Sequence, residues 1–376
     1  MIFASLIFCA AQFNFDQFEL NHELSARADY VGPNTANSAA KLYSTATFSL
    51  NQYTDLNLAV QILSDGASDE NIEVDFDGYL DVDQLWGDFS MRVGRMPFTL
   101  GDGRLISANP WRFQQNVHDA MVVDFEFVET DFTAFFTQAQ RGLASLTEDK
   151  MLGLYSHYEL SQRSVVETYF INRQQDSLNV DEYDFAVRID AQTENGLNYD
   201  AMLILQNGSD AGQDITSNAY TLSLSKQLDF GHGVGVGLAV AQGEGGSPAT
   251  VRQSYNPVLI DSHKFNGRAN IVAFSNLMDF YANYWLNWNE RWSMHVDVHS
   301  FYRQSNGDGI YTGENASLVS TTSLDREIGR ELDFYCQGQI NNDFNIDFGL
   351  SLFDPQSLAV GDDLQLIAYL HAAYSF

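Results

Sequence analysis

The densest run of side chains able to do chemistry lies between residues 87 and 119, GDFSMRVGRMPFTLGDGRLISANPWRFQQNVHD. It brings Arg92, Arg95, Asp102, Arg104, Arg112, His118 and Asp119 into one stretch. Opposed charges facing each other across a narrow aqueous passage order solute and water by the field between them, so the cluster suits a pore constriction with selectivity. The same residues suit a salt-bridged anchor that holds a loop against a wall. The two roles are compatible, because a filter needs positioned charges. Other candidate chemistry is thinner. His295, Asp297 and His299 alternate on one face of an extended segment, a spacing that can present metal ligands, but no further ligand is evident and a polar row accounts for them. Ser305-Asn306-Gly307-Asp308-Gly309 and Asn207-Gly208-Ser209-Asp210 lack the alternating acids and closing Glu of a calcium loop, and read as plain loops. No serine sits in a recognisable nucleophile motif with a histidine, so the chain reads as a non-enzyme, with no metal or cofactor assigned.

The elements that must position these residues show a period of two. In 343–352, DFNIDFGLSL, Phe344, Ile346, Phe348, Leu350 and Leu352 share one face while Asn345, Asp347, Gly349 and Ser351 share the other. Helical spacing would scatter these residues, so the segment is a strand. The pattern recurs at 72–80, 184–190, 233–240 and 292–299. The segments run to about 9–14 residues, longer than ordinary strands and matched to tilted membrane crossings. Connections alternate between short ones, near 82–86, 128–130, 192–195 and 289–290, and long ones, near 31–39, 99–117, 174–180, 207–214, 244–275 and 305–327. Tight periplasmic turns and long external loops are how outer-membrane barrels are built. The count, from 17–30 to 363–376, is about 18 strands, an even number as single-chain bacterial barrels require. The predicted fold is therefore an all-β, single-chain transmembrane antiparallel barrel over residues 12–376.

On that parity Glu73, Asp75, Asp77, Asp184, Arg188, Asp297, His299, Glu331 and Asp333 face the lumen. Arg95 falls on the lipid parity unless Gly94 marks a bulge. A bulge is expected there, because a lipid-facing Arg at mid-depth costs roughly 2–4 kcal/mol. Trp86, Trp288 and Trp292 stand beside short turns, where an interfacial aromatic girdle would put them.

Bulk composition agrees. The chain has 376 residues, 50 acidic against 19 basic, a net charge of −31, so it lacks the basic face that nucleic acid requires. Aromatic residues reach 13% with only 6 prolines, which favours many long strands. Two cysteines exclude a disulfide framework; Cys336 lies on the outward parity with Leu332 and Phe334. Residues 1–11 read as a signal-peptide remnant, with Cys9-Ala10-Ala11 as a small-residue cleavage site.

The segment 87–119 also resembles the alginate-export family of outer-membrane porins, through Arg92, Gly94, Arg95, Gly101, Asp102, Arg104, Leu105, Trp111, Gln115, His118 and Asp119. A second block, FNGRANIVAFSNLMDF at 265–280, then His299, Phe301 and Gly329, Glu331, Leu332, Asp333, continues the likeness. The resemblance implies an 18-stranded monomeric barrel in the outer membrane of a Gram-negative bacterium, in contact with lipid. It also implies an arginine-rich constriction conducting a polyanionic polysaccharide. The acid excess on the lumen parity departs from that last expectation, since a polyanion would meet net repulsion. The function expected is a channel for passive passage of hydrophilic solutes, with oligo- or polysaccharides among the candidates and a charged constriction from loop 99–117. The alternatives are a plugged barrel acting as a surface binding or structural protein through its long external loops, and a soluble all-β carbohydrate-binding protein.

Overall fold

A computed structural model describes residues 18–31, 35–65, 72–85, 87–112, 115–141, 149–245, 250–313, 317–319 and 326–376. The expected signal segment and Trp86 lie outside the described residues. Eighteen strands make the wall. In chain order they are β1 (Phe18–Val31), β2 (Thr35–Asn51), β3 (Thr54–Asp65), β4 (Ile72–Val82), β5 (Ser90–Met96) and β6 (Val117–Phe127). Then come β7 (Thr130–Arg141), β8 (Asp149–Ser161), β9 (Ser164–Gln175), β10 (Val180–Gln192), β11 (Leu197–Asp210) and β12 (Gln213–Gln227). The last six are β13 (His232–Ala241), β14 (Leu277–Asn289), β15 (Trp292–Arg303), β16 (Glu327–Asn341), β17 (Phe344–Pro355) and β18 (Gln365–Ser375). Each pairs antiparallel with its chain neighbour, and β1 pairs with β18 from Glu23↔Ser375 to Val31↔Ile367, which closes the ring. Closure leaves no open sheet edge, the condition for a sheet to sit in hydrocarbon. The start of β1 and the end of β18 lie at one rim, where the main chains of His22 and Phe376 exchange hydrogen bonds of 3.0 and 2.9 Å.

The side chains are arranged inside out relative to a water-soluble domain. Phe185, Ile189, Leu203, Leu205, Leu222, Leu224, Val234, Val236, Leu332 and Phe334 are exposed on the outer face. Their strand neighbours Glu182, Asp184, Gln206, Thr221, Glu331 and Asp333 are buried on the inner one. Water would penalise such an outer surface, whereas hydrocarbon accepts it. No helix among the described residues is long and apolar enough to cross a membrane; the strands do the crossing.

The predicted strands appear in the predicted order, with three differences at the rims. The connections expected to be long at 174–180 and 207–214 are tight, and at 31–39 strands β1 and β2 are paired out to Val31↔Thr35. Asn207–Asp210, read as loop, lies in β11 and pairs with Gln213–Thr216. The two residues between, Ala211 and Gly212, both take positive φ (47° and 89°), the geometry of a two-residue hairpin that lets the ladder run to its tip. Conversely the connection expected to be short at 82–86 runs from Val82 to Ser90. The bulge expected at Gly94 is absent: the β4–β5 and β5–β6 registers pass through Arg95 without a shift.

Two long connections turn inward and fill the lumen. Residues 97–116 join β5 to β6, and residues 242–276 join β13 to β14. The second, expected to be an external loop, carries a one-turn helix, α1 (Ser262–Phe265). Leu105 and Ile106 of the first and Leu259 and Phe274 of the second pack with Phe135, Phe301 and Phe353 of the wall into an apolar core inside the ring.

Candidate constriction

The first loop is built around the turn Gly101-Asp102-Gly103-Arg104. The Asp102 carboxylate accepts the Arg104 main-chain N–H at 3.0 Å, an Asx-type turn. Gly101 has φ +54°, and a Cβ there would stand 1.9 Å from the Tyr169 hydroxyl, so the wall comes too close for any side chain. Beyond the turn the two loops form a short parallel ladder: Leu259 N–H donates to Leu105 O at 3.0 Å and Ser107 N–H to Leu259 O at 3.0 Å. Lys264 Nζ then donates to Asp102 O at 2.7 Å, and the Arg104 guanidinium lies 3.8 Å over the Phe265 ring. Each loop therefore completes the hydrogen bonding of the other in a place water cannot freely reach.

The wall holds the second loop through charge. Arg252 reaches Glu182 at 2.7 Å and also pairs with Asp210. The main-chain N–H groups of Arg268 and Ala269 donate to Asp333 (3.3 Å) and Glu331 (2.8 Å). The Arg268 side chain lies over Tyr335 and donates to the Tyr369 hydroxyl at 2.9 Å. His263 stacks on Trp111 of the first loop at 3.6 Å and contacts Arg268 Nη1 at 3.0 Å through Nε2. Burial, with Arg268 and Arg27 beside it, pushes the His263 pKa well below its usual value. The ring is therefore neutral, as accepting a bond from an arginine requires.

Between these loops and the rim where β1 starts and β18 ends lies a cavity of about 570 Å3. Asp102, Arg104, Lys264 and Phe265 face it from the loops, and Arg188, Asp190, Asp200, Tyr281, Asp297 and His299 from the wall. Arg188 is its hub, within 2.5–3.6 Å of Glu167, Asp200, Asp190 and Asp102. Tyr155 and Tyr169 donate to the same Glu167 at 2.6 and 2.9 Å. A wider vestibule of about 900 Å3, lined by Glu290, Arg291, Gln337, Asp347 and His371, follows at the rim.

The alginate-export family profile matches residues 17–359. The chain belongs to the alginate-export family. The family is one of bacterial outer-membrane channels, which places this barrel in that membrane as a porin-type channel. A search of curated proteins finds no match. Several solved Pseudomonas aeruginosa structures share the fold. OprD is 11% identical with a TM-score of 0.68, over 98% of this chain and 97% of its own. OpdL is 9% identical with a TM-score of 0.69, over 96% and 99%. OccK3 (OpdO) is 11% identical with a TM-score of 0.67, over 99% of both chains.

In this alginate-export barrel the residues singled out from the sequence separate into groups. Asp102 and Arg104 reach the cavity, together with Arg188, Asp297 and His299 from the lumen set. Arg92 pairs with Asp124 at 3.1 Å on the inner wall. Arg95 and Asp119 form a two-bond pair, both 2.6 Å, opposite Gly78 on the outward parity. The bulge expected to turn this arginine is absent, and its charge is met by Asp119 of the adjacent strand. His118 is buried beside Phe98, with no hydrogen-bond partner at either ring nitrogen. Arg112 stays on the first loop, its main chain bonded to Asn109 O at 3.1 Å. Glu73, Asp75 and Asp77 share a face of β4 opposite exposed Val74 and Phe76. Asp184 is fully buried and accepts from Gln206 at 3.0 Å, while His299 contacts Asp279 at 2.9 Å. Sequence reading missed Arg252, His263, Lys264, Phe265 and Arg268, because the second loop was taken as external. It also passed over Glu167, Asp200 and Asp279, whose position on the inner parity was a usable signal. Among the described residues no group of three or more His, Cys, Asp or Glu side chains could hold a metal ion.

Proposed function

We propose that the barrel passes hydrophilic solutes passively, through a constriction made by residues 97–116 laddered to residues 242–276. The observation that carries this reading is the charged cavity left between the paired loops and the wall. It offers a polar path beside the apolar core that the two loops form with the wall. Four carboxylates, Asp102, Asp190, Asp200 and Asp297, face it with Arg104, Arg188, Lys264 and the His299 imidazole. The Arg188 charge is met by carboxylates on several sides. The passage is therefore weakly acidic, and we expect it to prefer cations over anions and to disfavour a polyuronate. No catalytic role is assigned to any of these groups, and the barrel acts as a monomer.

The test is reconstitution of the purified barrel in a planar bilayer, with reversal potentials in a salt gradient. Stepwise conductance with cation preference is expected. The full burial of Leu105, Ile106 and Phe301 in the lumen core favours a second reading, a closed barrel that works as a surface binding protein. Absence of conductance above background would select it.

A further inference from the structure

The inner face of β13 carries no side chains at three successive inward positions, Gly233, Gly235 and Gly237. Their register partners on β14 are Trp285, Asn283 and Tyr281. A Cβ on Gly237 would stand 2.2 Å from Tyr281 Cζ, and one on Gly233 1.9 Å from Trp285 Cε2. Both rings therefore lie flat over the neighbouring strand instead of projecting into the lumen. On the far side of the glycine row β12 contributes only Ser223 and Ser225 to the cavity. The Trp285 indole N–H is turned along the wall to Gln227 at 2.9 Å, and both rings are half-buried. The result is a shallow track floored by aromatic faces and rimmed by Asp200, Asn283, Asp297, His299 and serine hydroxyls, with the Asp200 charge met by Arg188.

Resting on the channel reading above, we infer that this track is a subsite for neutral oligosaccharide. A pyranose ring has an apolar C–H face and an equatorial belt of hydroxyls. The face suits a rigid aromatic floor, and the belt suits carboxylate, amide and hydroxyl acceptors at its edge. Trp285 and Tyr281 are four residues apart on one strand, about 13 Å. That is longer than one sugar ring, so the track matches consecutive units of a chain. The glycine row holds the rings flat before any ligand arrives, which reduces the ordering cost of binding. The carboxylates at the rim set the charge class: Arg188 is already met by Glu167, Asp190 and Asp200, so a neutral sugar finds acceptors there while a uronate gains little from that base.

The experiment is a planar-bilayer recording of the full barrel in potassium chloride, with maltohexaose, hexagalacturonate or a polyethylene glycol of similar size added. Maltohexaose should interrupt the current in resolvable blocking events, and the other two should not. Tyr281→Ala and Trp285→Ala should each weaken the maltohexaose association constant roughly tenfold while ion current is still recorded. Tyr281→Phe should retain blocking. Should Tyr281→Ala fail to assemble, Tyr281→Leu keeps an apolar cover on the glycine row without a ring and should lose blocking likewise. Ion current without maltohexaose blocking, blocking that survives both ring deletions, or equal blocking by the uronate would each overturn the subsite and leave the channel standing. No ion current at all would overturn the channel reading itself, and the subsite with it.

Discussion

The two loops inside the barrel are held by different means. Residues 97–116 close largely on themselves, through the Asp102–Arg104 turn and the Leu100 N–H to Ile106 O bond of 3.0 Å. Residues 242–276 are clamped by acidic side chains of the wall, Glu182 and Asp210 on one side and Glu331 and Asp333 on the other. The contrast teaches that an acidic residue facing the lumen is not automatically part of the passage. Glu331 and Asp333 point inward as their parity requires, yet they serve as acceptors for loop backbone. The acids left to act on a solute, such as Asp190 and Asp297, face the cavity instead.

The largest effect that would sharpen this comparison comes from removing the second loop. Replacing residues 246–272 by a short glycine-serine turn removes the partner strand of the first loop as well as its own bulk. Single-channel conductance should rise several-fold; an unchanged conductance would mean the loop does not narrow the path. Next is its anchor. Arg252→Met takes one of two bases from the fully buried Glu182 carboxylate, which keeps Arg173 at 2.8 Å, and loss of one such charge-assisted bond costs about 1.5–3 kcal/mol. The heat needed to abolish the fast-migrating folded form on a gel should fall, and Arg252→Lys, which keeps the charge, should lose less than Arg252→Met. The corresponding change in the first loop is milder. Arg104→Met removes a cation stacked on Phe265, about 0.5–2 kcal/mol. Reversal potentials should move further toward cation preference while folding is retained. The smallest effect is expected at the arginine that reads as functional from sequence and lies outside the pore. Arg95→Leu with Asp119→Leu should leave ion selectivity at the wild-type value, and a shifted reversal potential would return that pair to the passage.

The wall was legible because a two-residue period says which side chains meet lipid, whatever the tertiary context. Residues 343–352 show it without ambiguity and form β17 as read. Rim turns were less legible. Asn207-Gly208-Ser209-Asp210 has loop composition, and only the backbone geometry of Ala211 and Gly212 reveals that the ladder continues through it. The inward course of the second loop was not legible at all. Its contacts, Ala269 with Glu331 and Arg252 with Glu182, join residues far apart in sequence and leave no local periodicity. Arg95 was misplaced for a related reason. Its outward position is tolerated because Asp119 of the adjacent strand neutralises it, a compensation that strand parity alone does not show.

The seam where β1 meets β18 has its own consequence for how the molecule comes into being. The hydrogen bonds between His22 and Phe376 join the two ends of the ribbon, so they form only when every intervening hairpin already stands in register. Until then both outermost strands carry unsatisfied main-chain groups beside a greasy exterior, the state most prone to clump with its own kind. The last seam to close therefore removes both raw margins in a single step.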